Sequence, residues 1–483
     1  MTRTVTTPTS LCRFGLARAD ITPPVGIYHR MWGAATHEQA EGVHRPLEAA
    51  AMVFAPRDAA NPANYVLVAL DHCLFWHAEM SALRQAVLAA HKLPAASLLI
   101  TFSHTHAAGL MDPTRRDLPG GDLIEPYLAK LTQTVIDLVG QALAALQPAT
   151  LSYVAGRCNL AGFRDTWDAA SHQFVCGLNP DGPADDTVVV TRVMTDDGEP
   201  LATVVNYACH PTTLAWENRL ISPDYPGALR ESVERETGAP CVFLLGACGD
   251  LGPRDGFVGD VTVADRNGRQ LGHAVLSALA SLGPAATEFR YRGPVISGAT
   301  LGTWFHAPLG EEQRIRASRF TVRQVIVPLR YIDNRPALEQ LQSERAVAQA
   351  RVQEASQSGD EIQLRDSRAI VERLSRAITR WSGCPAGDVF PYELSLLRMG
   401  AAVWIAGEGE LYQWLQLELR RRFPDAALVI MMLGNGWRCS YLPTRETYGQ
   451  GIYQEQIAML APGCLEAVLE AASTAVTELL ADR

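Results

Sequence analysis

What the chain lacks removes several protein classes from consideration. No apolar run is long and clean enough to span a bilayer, so no integral membrane segment is expected. The opening residues, MTRTVTTPTSLCRFG, have no apolar core of the length a secretory signal needs. The ten cysteines are scattered without a CxxC pair, which argues against a disulfide framework and against a cysteine zinc site. Cys158, Cys209, Cys241 and Cys248 lie in apolar segments and read as reduced core thiols. A cytoplasmic location is the resulting expectation. Blocks of like charge, internal repeats and low-complexity tracts are also missing. The net charge is -10, a diffuse acidic balance that speaks against nucleic acid, which would want a basic face.

What is present suits one large layered unit. Of 483 residues, 47% are hydrophobic and 19% charged, ample for a substantial core. Short β-branched or aliphatic runs alternate with helical patterns, the signature of an α/β fold with mixed sheets layered against helices. Strands are expected at 65–70 and 97–102 with a helix at 78–90 between them, a βαβ unit whose strands lie parallel. A helix at 126–146 and a strand at 150–155 follow. Asp196-Asp197-Gly198 between 188–194 and 201–207 is a hairpin signal. A strand at 242–245 and a helix at 264–282 come next, then antiparallel strands at 290–305 and 322–329. Two polar-faced helices at 336–357 and 367–381, joined by Ser358-Gly359-Asp360, read as an exposed helical hairpin inserted at 336–381 within a single 1–483 unit. A strand hairpin over 394–406 turning at Gly400, a helix at 411–422, a strand at 428–433 and a helix at 464–480 complete the chain.

Chemistry-bearing residues gather where strands end. Ser103-His104-Thr105-His106 follows the strand ending at Phe102. If the strand continues, residues two apart share a face and His104 and His106 converge. Such a pair suits a metal, or a ligand with a catalytic base, and equally a pair of hydrogen-bonded loop histidines. His210, before Pro211, sits at a second strand end, and in Gly407-Glu408-Gly409-Glu410 glycines flank Glu408. Those glycines leave the Glu408 carboxylate unshielded, whereas Glu410 reads as complementing the N-terminus of the next helix. Histidines with a carboxylate make a nitrogen/oxygen set that suits zinc. The glycine-rich run 244–254 lacks the Walker lysine, so phosphate binding is not indicated. Within it, Asp250 could orient a ligand histidine or cap a turn.

Taken in order, Ala19-Asp20-Ile21-Thr22-Pro23, Gly42-Val43-His44-Arg45, Ser103-His104-Thr105-His106, Cys209-His210-Pro211, Gly249-Asp250, Gly407-Glu408 and Ser440-Tyr441-Leu442-Pro443-Thr444 resemble the catalytic domain of the neutral/alkaline non-lysosomal ceramidases over nearly the whole chain. The resemblance implies one zinc ion held by His104, His210, Glu408 and Tyr441, with Tyr441 a direct ligand or a donor behind the ligands. It implies catalytic assistance from His106, Arg164 and Tyr453, although Phe163 replaces the asparagine usual before the arginine. Two departures stand out. The family's G-D-V-S-P-N loop is Gly249-Asp250-Leu251-Gly252-Pro253-Arg254 in this chain, and no immunoglobulin-like C-terminal domain is expected after the last helix. Gly252 has no side-chain hydroxyl to donate a hydrogen bond, and Arg254 adds a cation, so both are read as substrate-binding positions that favour a polar or anionic group.

The expectation is a metal-dependent hydrolase cleaving an amide bond of a small-molecule or lipid-like substrate other than ceramide. Ester or lactone hydrolysis passes through a similar oxyanion and stays compatible. So does a metal-dependent lyase or isomerase acting on a sugar-like carbonyl compound. A metal-free binding protein is disfavoured by the intact His104, His210 and Glu408 set. The sequence does not specify an oligomeric state.

Overall fold

A computed structural model describes residues 3–58 and 64–481. Apolar residues at alternate positions build two sheets whose inner faces meet. In the strand Glu48–Pro56, Ala50, Met52 and Phe54 face one way and Ala49, Ala51 and Val53 the other, as a period of two requires. The larger sheet has eight strands in the order Cys241–Leu245, Pro200–Tyr207, Thr187–Thr195, Gln147–Arg157, Thr9–Asp20, Glu48–Pro56, Tyr65–Leu70 and Leu98–Phe102. The smaller has four, Phe320–Arg330, Val389–Met399, Ala402–Gly407 and Ala427–Met431. Met52, Phe54, Leu99 and Val204 join Leu397, Met399, Trp404 and Met431 in one buried cluster between the sheets. The Phe54 and Trp404 rings lie 5.3 Å apart. Asn206 bridges the same interface with polar bonds. Its Nδ2 donates to the carbonyls of Leu244 (3.1 Å) and Ile430 (2.8 Å), and its Oδ1 accepts from the Ile430 amide (3.2 Å). The buried amide is thereby satisfied.

Helices cover the outer faces. His77–His91, Ile124–Ala144, Tyr225–Thr237 and Val261–Ala280 pack on the larger sheet, and Cys464–Ala481 on the smaller. This is the mixed α/β layering expected, including the parallel pairing of Tyr65–Leu70 with Leu98–Phe102 and the hairpin of Thr187–Thr195 with Pro200–Tyr207. Two further parallel pairs, Pro200–Tyr207 with Cys241–Leu245 and Ala402–Gly407 with Ala427–Met431, run into the same loop cluster. There the His106 amide donates to Pro211 O (3.3 Å), Gly249 to Leu411 O (2.7 Å) and Met432 to Leu245 O (3.3 Å). Carboxyl ends of parallel strands are where open α/β sheets place their sites.

Several elements differ from expectation. The stretch read as one strand at 290–305 is two, Thr287–Ser297 and Ala299–Pro308, because Gly298 (φ 75°) adopts the left-handed backbone that a tight reversal needs. The second inserted helix begins at Glu361, capped by the Asp360 side chain accepting from the Gln363 amide (2.9 Å). The inserted hairpin also has only one exposed side. Leu341, Ala348 and Leu374 seal its two helices together. Glu372 and Arg376, one turn apart on the second helix, then dock it. Arg115 donates to Glu372 (2.8 Å), and Arg376 donates to both Glu372 (2.7 Å) and Met31 O (2.5 Å). Among the described residues no helix is long and apolar enough to cross a membrane.

Candidate metal centre

His104 lies just beyond the strand Leu98–Phe102 and does not continue it. Its φ is 68°, a left-handed backbone that costs a non-glycine residue about 1–3 kcal/mol and persists where the surroundings enforce it. The His104 amide donates to His72 O (2.9 Å) and its Nδ1 to Cys73 O (2.7 Å). A carbonyl only accepts, so Nδ1 carries a proton and Nε2 faces the cluster. His210 is held in the same way, its Nδ1 shared between Cys248 O (2.7 Å) and Leu251 O (2.9 Å). The two Nε2 atoms converge on one carboxylate oxygen, Glu410 Oε2, at 3.5 Å from His104 and 2.8 Å from His210. Trp437 Nε1 fixes the other oxygen, Oε1, at 2.7 Å. All three side chains are buried.

Glu410, and not Glu408, therefore meets the histidines. Glu408 points the other way into an ion pair with Arg438, whose Nε donates at 2.9 Å, and its backbone carbonyl accepts from Tyr392 (2.9 Å). Gly409 is the cause. Its φ of 69° breaks the alternation between 408 and 410, and an added Cβ would strike Ser440 O. Glu410 also has no helix terminus to complement, since it pairs in parallel with Tyr441 and the helix starts at Trp414. The glycines beside Glu408, expected to expose it, instead let the chain turn and bury it. The residues that sequence reasoning missed are Glu410, Trp437 and Arg438. Glu410 was visible in the same motif.

Charge balance explains why this cluster suits a cation. Burial pushes the Glu410 carboxyl up, but His104 and His210 outweigh it and hold it well below the usual range. Burial and the Arg164 cation bring His210 down to about 4. Burial also lowers His104, yet Cys73 and Glu410 overcome this and leave it well above its ordinary value. Without a metal the buried anion is thus matched by a second proton on His104, at Nε2, and that nitrogen would become a bare donor only on binding a cation in the proton's place. Two imidazole nitrogens and a carboxylate, each steadied by an outer hydrogen bond, form a donor set that fits a divalent metal. A second grouping, Cys73, His104 and His106, fits less well because His104 Nδ1 is committed to a carbonyl.

The remaining expected residues divide. Tyr441 OH is 3.5 Å from His210 Nε2, so the phenol reaches the cluster, and burial pushes its pKa well above the ordinary value. His106 Nε2 is 3.4 Å from His104 Nε2. Burial, reinforced by His104 and His210, keeps its imidazole well below the usual range and so neutral. Arg164 is buried with its guanidinium 5.3 Å from the Tyr441 ring centroid, and its Nε and Nη2 have no hydrogen-bond partner among the described residues. Tyr453 is 49% exposed, its ring 6.0 Å from that of Tyr441.

Asp250 does not orient a histidine. Its carboxylate accepts from the Gln413 amide (2.8 Å) and Nε2 (3.0 Å), and burial pushes it up to about 6. The loop does position His210, through the backbone carbonyls of Cys248 and Leu251. Gly252 lies in the strand Leu251–Pro253 opposite Gly162, and Thr212 Oγ1 is the atom an added Cβ would approach, at 3.8 Å. Arg254 is exposed beyond that strand and forms no ion pair among the described residues.

Known proteins share this architecture. Residues 12–243 match the family described as neutral/alkaline non-lysosomal ceramidase, N-terminal. No curated protein sequence matches the chain. Among solved structures, the neutral ceramidase from Pseudomonas aeruginosa has a similar fold, with a TM-score of 0.64 at 18% identity over 98% of this chain and 75% of that one. A ceramidase complexed with C2 is similar with a TM-score of 0.64 at 17% identity, over 98% of this chain and 76% of that one. At such identities the likeness is one of fold. Residues 12–243 thus match the N-terminal model of that family, and the chain shares the fold of these ceramidases along its length.

Proposed function

We propose that the protein is a zinc-dependent amidohydrolase acting on an N-acyl substrate other than ceramide, with His104, His210 and Glu410 holding the ion and Tyr441 beside it. The observation that carries this reading is the convergence of two Nε2 atoms on Glu410 Oε2. When bound, a zinc ion supplies a water acidified to near neutrality and polarises a carbonyl. His106, neutral and 3.4 Å from His104 Nε2, is available to accept the proton that water releases and to pass it to the leaving nitrogen. Arg164 has two unpartnered nitrogens, Nε and Nη2, and a fixed positive charge with which it would stabilise the carbonyl oxygen as it becomes an oxyanion. Tyr453, half-exposed with its ring 6.0 Å from that of Tyr441, would donate to the same oxygen. In balance, the water oxygen bonds the carbonyl carbon, the C–N bond breaks, and the amine leaves with a proton derived from water.

Support for a substrate other than ceramide comes from Gly252, which provides no hydroxyl at its position. The test is elemental analysis of the purified protein with a screen of N-acyl and O-acyl substrates, with and without chelator. Bound zinc and chelator-sensitive N-acyl cleavage are expected. Cleavage of O-acyl substrates alone would replace the amidase reading with an esterase one, and activity indifferent to chelator would overturn the metal.

A further inference from the structure

Two chemically different sets of side chains flank the centre. On the His106 side they are aromatic. Trp32 lies 5.1 Å from the His106 ring, 6.2 Å from Trp216 and 5.7 Å from Phe257, and Trp216 is 37% exposed. Phe257 holds a φ of 57°, a conformation a bulky residue adopts only under constraint. On the Tyr453 side they are cationic and come from the inserted helix Glu361–Ser382. Glu372, Arg376 and Arg380 recur every four residues and share one face. Arg376 and Arg380, together with Arg164, lie within electrostatic range of the Tyr453 hydroxyl.

These cations are not equally occupied. Arg376 is paired with Glu372, and Arg438 nearby is paired with Glu408. Arg380 forms no ion pair among the described residues. Its guanidinium stands 5.7 Å from the ring centroid of Trp437, the residue that anchors Glu410, and its Nε is buried without a hydrogen-bond partner. Burial lowers it to about 10, which still leaves it charged at neutral pH. A partly buried cation without an anion is costly, and a planar guanidinium matches a carboxylate in two-point geometry.

We infer that Arg380 is the anion-recognising residue of the site, and that the substrate is an N-acyl amino acid whose carboxylate meets Arg380 while its acyl chain lies along Trp32, Trp216 and Phe257. This rests on the hydrolase reading above and names its substrate class. The inserted hairpin thereby gains a role in recognition, since the docking of Glu372 and Arg376 holds the helix that carries Arg380 against Trp437, the residue that anchors Glu410.

The test compares N-decanoylglycine with the uncharged N-decanoylglycinamide on the zinc-loaded full chain. The wild type should favour the carboxylate at least tenfold in kcat/KM. Arg380→Gln should abolish most of that preference, mainly through KM, and Arg380→Lys should restore part of it as a point charge. Equal kcat/KM for the two compounds, or equal losses for both in Arg380→Gln, would overturn the inference. Calorimetric binding of N-decanoylglycine reads the subsite without turnover, and Arg380→Gln should weaken it at least tenfold. Such weakening without any hydrolysis would sustain the subsite while refuting the hydrolase reading; binding unchanged by the substitution would refute the subsite.

Discussion

Between the sheets, Met52, Phe54, Leu99, Trp404 and Met431 press apolar surface on apolar surface, with Asn206 satisfied among them. At the strand ends, His104, His210, Glu410, Arg164 and Tyr441 are as deeply buried, yet every one is polar or charged. The first region is stabilised by removal of hydrocarbon from water. The second spends part of that gain on desolvated charge and on left-handed backbone at His104 and Ser440 (φ 62°).

The contrast can be broken at either region. Trp404→Ala empties the sheet interface and should destabilise the chain by about 3–5 kcal/mol, read by denaturant unfolding. A loss under about 1 kcal/mol would mean that the interface does not hold the fold together.

A smaller effect is expected where the inserted helix docks. Burial would raise the Glu372 carboxyl, but Arg376 and Arg115 outweigh it and hold it at about 2. A depressed carboxylate stabilises the fold fully above its ordinary value of about 4.3, and that contribution is lost as pH falls towards the folded value. Glu372→Gln should cost about 2 kcal/mol at neutral pH. The gap to wild type should narrow as pH is lowered from the ordinary glutamate value towards the folded one, and a gap independent of pH would show that the ion pairs are not its source.

Much of the sandwich is legible in the sequence because local pattern and final structure agree. The run 65–70, the helix after it and the strand ending at Phe102 announce themselves by period, and the Asp-Gly turn at 197–198 by turn chemistry. The strands Thr9–Asp20 and Glu48–Pro56 do not. Ala49, Ala50 and Ala51 carry little strand signal, and their pairing is made by neighbours distant in sequence. At the site, His104 and His106 meet as expected but for a different reason. They converge through a left-handed turn, not through a continued strand. Pattern alone favours Glu408 over Glu410 because the conformation of one glycine decides which carboxylate faces inward. The docking of the hairpin is hidden because Glu372, Arg376 and Arg380 read as an exposed charged face until Arg115 and the loop carrying Met31 are seen opposite them.

The central claim is that Glu410, with His104 and His210, holds a metal while its neighbour two residues away serves the fold. The direct measurement is metal content of wild type, Glu410→Gln and Glu408→Gln, purified identically from zinc-supplemented culture. Wild type and Glu408→Gln should each retain about one zinc per chain, and Glu410→Gln should lose it together with activity. Zinc retained by Glu410→Gln but lost from Glu408→Gln, or absent from all three, would contradict the account.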